Sequence, residues 1–190
     1  MKTVSYTCIL IASFLTFASC KDDNPTQGCT DTNACNFDVN AEENDGSCYS
    51  ICLSETERAT VIDFVNSAID YLENHDVSDA ITAFSAPSPA AEYITDELYI
   101  FLLDIRNVEN QEVPMLAHGA NENLIGENQY DQIDQYGKYF VQEFLQLLES
   151  NDTAWSWYYW TDPSDSNIKK KFSYIVKSGD YIIGAGIFVD

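Results

Sequence analysis

The last third of the chain constrains its fold most strongly, because three consecutive segments there have the composition and length of β-strands. These segments are residues 154–160, 170–176 and 181–189. Successive side chains of a strand point to opposite faces, so Trp155 and Trp157 share one face of the first segment while Tyr158 and Trp160 share the other. Both faces are aromatic, which predicts a strand that is covered on both sides or lines a cavity.

Two helices are predicted before this region. Ser54 and Glu57 have the spacing of a capping box, and an apolar stripe at helical spacing follows them to about His75. The stripe consists of Ile62, Val65, Ile69 and Leu72. A second, short helix is predicted over residues 79–84. Such a stripe serves either packing within the chain or a homodimer seam, and the sequence leaves both open.

The middle of the chain adds two strands and a further helix. The apolar run over residues 98–105 predicts a central strand, and residues 113–118 are its expected hairpin partner. Phe140 and Phe144 mark a helix on the crossover that follows Gly137. The predicted order is therefore two strands, a helical crossover and three antiparallel strands.

Several short motifs recur in a characteristic order in the same region. They are Gly137-Lys138-Tyr139-Phe140, Tyr158-Tyr159-Trp160, Lys171-Phe172-Ser173-Tyr174 and Ile183-Gly184-Ala185-Gly186. Leu116-Ala117-His118 fits the same pattern, with Gly119 where Pro is typical. This pattern resembles a single Cache domain, a PAS-like extracytoplasmic sensor module, over about residues 54–190. The resemblance implies an α+β fold: a five-stranded antiparallel sheet with a long N-terminal helix and a helical crossover.

The resemblance also implies a pocket between the sheet and the crossover that binds a small metabolite, such as a short carboxylate. The ligand-binding candidates are His118, Tyr139, Tyr158, Trp160, Lys171 and Tyr174. Lys171 corresponds to the Lys of the family's Lys-x-Ser-Tyr strand, which makes it the first candidate for pairing with a carboxylate. The alternatives are that the lysine is a solvated strand residue, that the histidine is structural and that the aromatic residues belong to the core.

Residues 1–19 are interpreted as a signal peptide. The apolar stretch is too short to span a bilayer, and Phe17-Ala18-Ser19-Cys20 resembles a lipobox in which Cys20 is lipidated. A plain secretory signal with an incidental cysteine is the alternative. Lys21-Asp22-Asp23 resembles the export signal of surface lipoproteins, which implies an outer-membrane lipoprotein that faces the periplasm or the cell surface.

Residues 20–53 are predicted to be a linker and a small cysteine-rich spacer that precedes the sensor domain. Its segments resemble a short Cys-bounded repeat of exported proteins, which implies a Cys29–Cys48 disulfide and leaves Cys35 and Cys52 for a second bridge. Four cysteines permit three pairings. The segment lacks the paired C-x-x-C knuckles of a zinc site and the terminal Glu of a calcium-binding loop. Its acidic residues are therefore interpreted as solvated side chains in turns.

Charge excludes one class of function. Nine Lys and Arg face 31 Asp and Glu, giving a formal net charge of −22, and nucleic-acid binding requires clustered cations. No catalytic motif stands out, so neither an enzyme nor a cofactor is predicted. The leading hypothesis is a lipid-anchored sensor that signals through a separate membrane or signalling protein. The alternative is a structural or adhesive surface lipoprotein that keeps the fold without a working pocket.

Overall fold

The computed structural model describes residues 25–32, 34–35, 38–48, 53–85, 93–95 and 97–189. The chain divides into two compact units, residues 1–50 and residues 51–190. The predicted signal peptide, the predicted lipidation site Cys20 and the cysteine Cys52 lie outside the described residues.

The second unit begins with two helices. Helix α1 spans Glu55–Asn74 and helix α2 spans Val77–Phe84. The predicted capping box is confirmed: the Ser54 hydroxyl accepts from the Glu57 N–H, and the Glu57 carboxylate accepts from the Ser54 N–H. Both bonds satisfy backbone donors that a helix start leaves free, which explains why α1 begins where it does.

Five antiparallel strands form the sheet of this unit. In chain order they are β3 (Phe101–Asp104), β4 (Met115–His118), β5 (Thr153–Thr161), β6 (Ile168–Ser178) and β7 (Tyr181–Val189). Helix α3 (Phe140–Leu147) lies on the crossover between β4 and β5. The strand order is β4-β3-β7-β6-β5. The predicted α+β architecture is thus confirmed, although β3 is shorter than the apolar run that predicted it.

The two faces of the sheet bury different parts of the chain. On the face that we call the helix face, Leu102 and Ile183 pack with Val65 of α1 and Phe84 of α2. On the opposite face, the crossover face, a second buried group forms around α3. Its members include Phe101, Leu103, Met115, Phe140, Phe144, Tyr158, Ile175 and Ile182. The apolar run of β3 therefore serves both faces, as expected for a central strand.

Two glycines of β7 allow close packing on the crossover face. A Cβ on Gly186 would lie 2.4 Å from both the Phe172 carbonyl oxygen and the Ser173 hydroxyl. A Cβ on Gly184 would lie 2.5 Å from the Phe101 ring. Close packing, rather than phosphate binding, therefore accounts for the Gly-Ala-Gly segment.

A turn of the crossover covers the middle of the outer edge of β5. Asp134 accepts the Tyr159 N–H through Oδ2 (3.1 Å), while its Oδ1 accepts from the Tyr136 and Lys138 N–H groups. The Lys138 ammonium donates to the Trp157 carbonyl and pairs with Glu143. Backbone groups that an edge strand leaves exposed are thereby satisfied by side chains of the same chain.

The first unit contains two short parallel strands, β1 (Gln27–Gly28) and β2 (Glu43–Asn44), and a disulfide between Cys29 and Cys48. That disulfide confirms the pairing implied by the repeat. Cys35 is also disulfide-bonded. The acidic and amide side chains of the spacer accept from nearby N–H groups, including Asn40 N to Asp38 and Ser47 N to Asp45.

Within the described ranges, no helix combines the length and the apolar character that crossing a bilayer requires.

Candidate ligand-binding site

A cavity of about 180 Å³ opens on the crossover face at the end of the sheet. Its wall is lined by Tyr99, His118, Ala120, Asn121, Trp160, Thr161 and Pro163. His118 ends β4 and Trp160 lies near the end of β5, so the fold brings together residues that are far apart in the sequence. The volume suits a small organic molecule rather than a drug-sized one.

Lys171 lies beside this cavity, beneath the Tyr99 ring. The lysine is 1% exposed, and its Nζ is 3.8 Å from the Tyr99 ring centroid. Phe101 and Phe188 flank the same ammonium at 5.5 and 5.3 Å. Among the described residues Nζ has no hydrogen bond or ion pair. Burial lowers the pKa of Lys171 to about 7, and the nearby Asp162 carboxylate only partly offsets this.

The Asp162 carboxylate already binds other side chains. It accepts from the Lys169 ammonium at 2.8 Å and from the Ser164 hydroxyl at 2.7 Å. Among the described residues, Lys171 is therefore a buried amine that has aromatic rings around it but no contacting counterion, and burial disfavours its charged form. Such a group is costly unless an anion is supplied.

Tyr99 is the second polar group of the site that lacks a partner. The residue is 2% exposed, and its hydroxyl makes no hydrogen bond of normal geometry within the described part of the chain, although a weak interaction with the Trp160 side chain acts to lower its pKa. Burial raises the pKa of Tyr99 well above its ordinary value, so the hydroxyl stays protonated. A neutral hydroxyl can donate to an anion.

His118 is held in one tautomer. Its Nδ1 accepts the Ala120 and Asn121 N–H groups at 3.2 and 2.9 Å, so the ring proton belongs to Nε2. Burial, followed by the charge of Lys171, lowers the pKa of His118 to about 3. The ring is therefore a neutral donor at any pH near neutrality, and its centroid is 4.8 Å from that of Tyr99.

An inner cavity between the sheet and α3 is almost filled. Its volume is about 20 Å³, and it shares His118 and Trp160 with the larger cavity. The rings of Phe140 and Tyr158 stack at 4.2 Å within it, and the Tyr158 hydroxyl lies 3.2 Å from the Ser173 hydroxyl. The space where the sequence predicted a pocket is thus occupied by side chains, and the open volume lies outside it.

A wider groove of about 300 Å³ has the wrong charge for an anion. It is lined in part by Glu57, Glu97 and Asp162. Repulsion from these carboxylates disfavours a carboxylate ligand there. The cavity lined by Tyr99 and His118 is therefore the candidate site.

Four of the six predicted ligand-binding residues lie around this site and two do not. His118 and Trp160 line both cavities, Tyr158 lines the inner one, and Lys171 lies beneath Tyr99. Tyr174 points to the helix face, where it contacts Trp155 at 5.4 Å. Strand alternation already separates residues 171 and 174.

The remaining predicted residue, Tyr139, is 49% exposed and lines neither cavity. Sequence reasoning also missed Tyr99, which it assigned only to a strand. The closeness of Gly119 to Tyr99 appears only in the structure, where a Cβ on Gly119 would lie 2.8 Å from the Tyr99 Cβ.

These elements define a PAS-like α+β sensor fold with a cavity on one face of the sheet. The sequence profile of the Cache domain family matches residues 88–190. The chain therefore belongs to the Cache domain family. No curated protein sequence matches the chain.

Solved structures of chemotaxis sensors have a similar fold. A methyl-accepting chemotaxis protein from Vibrio parahaemolyticus matches with a TM-score of 0.59 at 17% identity, covering 72% of this chain and 90% of that one. A Cache chemosensory domain described for carboxylic acid recognition matches with a TM-score of 0.57 at 20% identity, covering 72% of this chain and 95% of that one. A periplasmic sensor domain of a chemotaxis protein matches with a TM-score of 0.55 at 20% identity, covering 71% of this chain and 94% of that one. At these identities the likeness establishes the fold.

Proposed function

We propose that this protein is a lipid-anchored extracytoplasmic sensor that binds a short carboxylate and signals through a separate protein. The observation that carries the proposal is the group of buried donors at one cavity. Lys171 and Tyr99 are each at most 2% exposed and lack hydrogen-bond partners among the described residues. His118 adds a neutral ring donor.

A carboxylate would complete this group chemically. It would supply the counterion that Lys171 lacks among the described residues and accept from the His118 Nε2–H. Charge-assisted hydrogen bonds of this kind are shorter and stronger than neutral ones. One structural neighbour is a Cache domain described for carboxylic acid recognition, which supports the same ligand class here.

Ligand binding would act by shifting the population between forms of the site. The surface that changes would then be read by a membrane or signalling partner. The lipid anchor at Cys20 and the signal peptide rest on the sequence pattern of residues 1–20, as does the outer-membrane location.

The first experiment is a thermal-shift screen of the full chain with acetate, propionate, lactate, pyruvate and succinate. We expect one or more of them to raise the Tm by several degrees. Lys171→Met should abolish this shift, because it removes the cation while keeping the apolar volume. Lys177→Met is the matched control, since Lys177 is an exposed lysine on the same strand, and its shift should equal that of the unmodified protein.

A well-folded protein that responds to none of these carboxylates would favour the alternative of a structural or adhesive surface protein. One observation supports that alternative: the inner cavity is filled by the stacked rings of Phe140 and Tyr158.

The anchor is tested separately in a Gram-negative host. Metabolic labelling with a radioactive fatty acid should mark the unmodified chain and fail to mark Cys20→Ser. Equal labelling of both proteins would overturn the lipoprotein proposal without affecting carboxylate binding.

A further inference from the structure

We infer that the Tyr99 ring is a built-in plug of the carboxylate site: it covers the Lys171 ammonium in the free protein and must swing away for a carboxylate to reach it. The inference rests on the proposed carboxylate-binding function and concerns how that site is regulated. It makes Tyr99 a competitor of the ligand rather than one of the ligand's fixed contacts.

The contacts place the ring between the cation and the open cavity. Tyr99 lines the cavity of about 180 Å³, whereas Lys171 does not. The Lys171 Nζ lies 3.8 Å from the Tyr99 ring centroid, a distance at which the ring face attracts a cation. Phe101 and Phe188 flank the same ammonium. An anion that enters the cavity therefore meets Tyr99 before it meets Lys171.

The plugged form leaves the buried Tyr99 hydroxyl without a hydrogen-bond partner and Lys171 without an ion pair among the described residues, and an unsatisfied buried hydroxyl is uncommon in folded proteins. Both deficits end if the ring moves, because the hydroxyl can then reach water or ligand and the ammonium can pair with the carboxylate. Displacing the ring when a ligand binds therefore costs little net free energy.

An independent observation concerns Gly119, which follows β4. A Cβ at this position would lie 2.8 Å from the Tyr99 Cβ and 3.0 Å from Ile94 Cγ1. Ile94 is also the bridge partner of Tyr99. The absence of a side chain at Gly119 therefore creates the room in which Tyr99 lies over Lys171. A chain with any larger residue there would have to displace Tyr99, Ile94 or both.

The test compares carboxylate affinities of full-chain variants by isothermal titration, using acetate, propionate, lactate and pyruvate as probes. Tyr99→Leu removes the aromatic face, so we expect about tenfold tighter binding, the equivalent of a desolvated cation–π contact. Tyr99→Phe keeps the ring and should bind within about twofold of the unmodified protein. Equal or weaker binding by Tyr99→Leu would overturn the plug.

Gly119→Ala keeps the inference testable if Tyr99→Leu does not fold. The added methyl would collide with the Tyr99 Cβ and with Ile94 Cγ1, so we expect it to shift Tyr99 relative to the ammonium and to tighten binding, although it lowers stability. Weaker or unchanged binding by this folded variant would contradict the inference.

The two proposals fail in different ways. If no carboxylate binds the unmodified protein, Tyr99→Leu or Gly119→Ala, the proposed function is wrong and the plug is wrong with it. If the unmodified protein binds a carboxylate and the variants bind it no better, only the plug is wrong. Binding by the variants alone would support both.

Discussion

The two faces of the sheet bury different chemistry. The helix face is filled by apolar and aromatic side chains, among them Val61, Val65 and Phe84, all at 0% exposure. The crossover face buries polar groups as well, including Lys171, His118 and Ser173. The first face resembles an ordinary core, whereas the second combines a core with groups that are stable only when they find partners.

This difference separates stability from binding within one sheet. Apolar burial on the helix face stabilises the fold by the area removed from water. A buried amine and a hydroxyl without a partner lower stability on the crossover face, and proteins retain such groups mainly at functional sites. Substitutions on the helix face should therefore change unfolding alone, while substitutions on the crossover face should change ligand binding too.

The largest effect is expected from Phe84→Ala on the helix face. Phe84 is fully buried and packs its ring 4.8 Å from that of Tyr93. Truncating a buried Phe costs about 4 kcal/mol, measurable by urea denaturation, and the carboxylate affinity of the folded fraction should not change. Phe144→Ala is the counterpart on the crossover face, where affinity should fall as well, because the Phe144 ring stacks on Phe101, which flanks the Lys171 ammonium. If Phe84→Ala weakens binding as much as Phe144→Ala does, the two faces are not separate.

The second effect is a gain in stability from Lys171→Met. The pKa of Lys171 is about 7 in the folded protein, below its unfolded value of about 10.4. Between these values the unfolded chain binds more protons, so the unmodified protein gains stability as pH rises through the window. Below about pH 7 Lys171 is charged in both the folded and the unfolded protein, so the folded protein bears the full free-energy cost of burying this charge.

Lys171→Met should therefore be more stable than the unmodified protein by about 2–3 kcal/mol near pH 6. The difference should shrink towards pH 10. Urea midpoints measured for both proteins across this range decide the matter, and a difference that does not vary with pH would show that Lys171 is solvated.

A smaller loss is expected from Tyr158→Phe. The Tyr158 hydroxyl lies 3.2 Å from that of Ser173, and both residues are buried. Removing one partner leaves the Ser173 hydroxyl unsatisfied, which costs about 1 kcal/mol. Combining Tyr158→Phe with Ser173→Ala should restore much of this loss. A simple sum of the two single losses would indicate that the hydroxyls do not interact.

The smallest effect is expected from Tyr99→Phe. Its hydroxyl has no hydrogen-bond partner of normal geometry in the described part of the chain, so the free energy of unfolding should stay within about 0.5 kcal/mol or rise slightly. The contrast between Tyr99→Phe and Tyr158→Phe is the informative quantity, since both remove one buried hydroxyl. Equal losses would imply that the Tyr99 hydroxyl is hydrogen-bonded in solution.

Much of the fold was predictable because its signals are local. The Ser54–Glu57 capping box predicted the start of α1, and composition and length identified the three C-terminal strands that became β5, β6 and β7. Such patterns depend on neighbours within a few residues. The motif order supplied the topology that periodicity alone does not.

The candidate site was only partly predictable because its properties arise from distant contacts. The run Lys169-Lys170-Lys171 shows that alternate lysines face opposite ways, but not which face is buried. Lys171 is buried because Tyr99, Phe101 and Phe188 converge on it. Nothing near Tyr99 in the sequence indicates that its ring covers a cation.

The covered edge of β5 has a consequence for recognition. Asp134 and Lys138 occupy the Tyr159 N–H and the Trp157 carbonyl, the groups that a foreign strand would have to engage. Strand addition at the centre of this edge is therefore blocked. A signalling partner that docks there must recognise side chains, and the centre of β5, the longer of the two edge strands, is protected from edge-to-edge self-assembly.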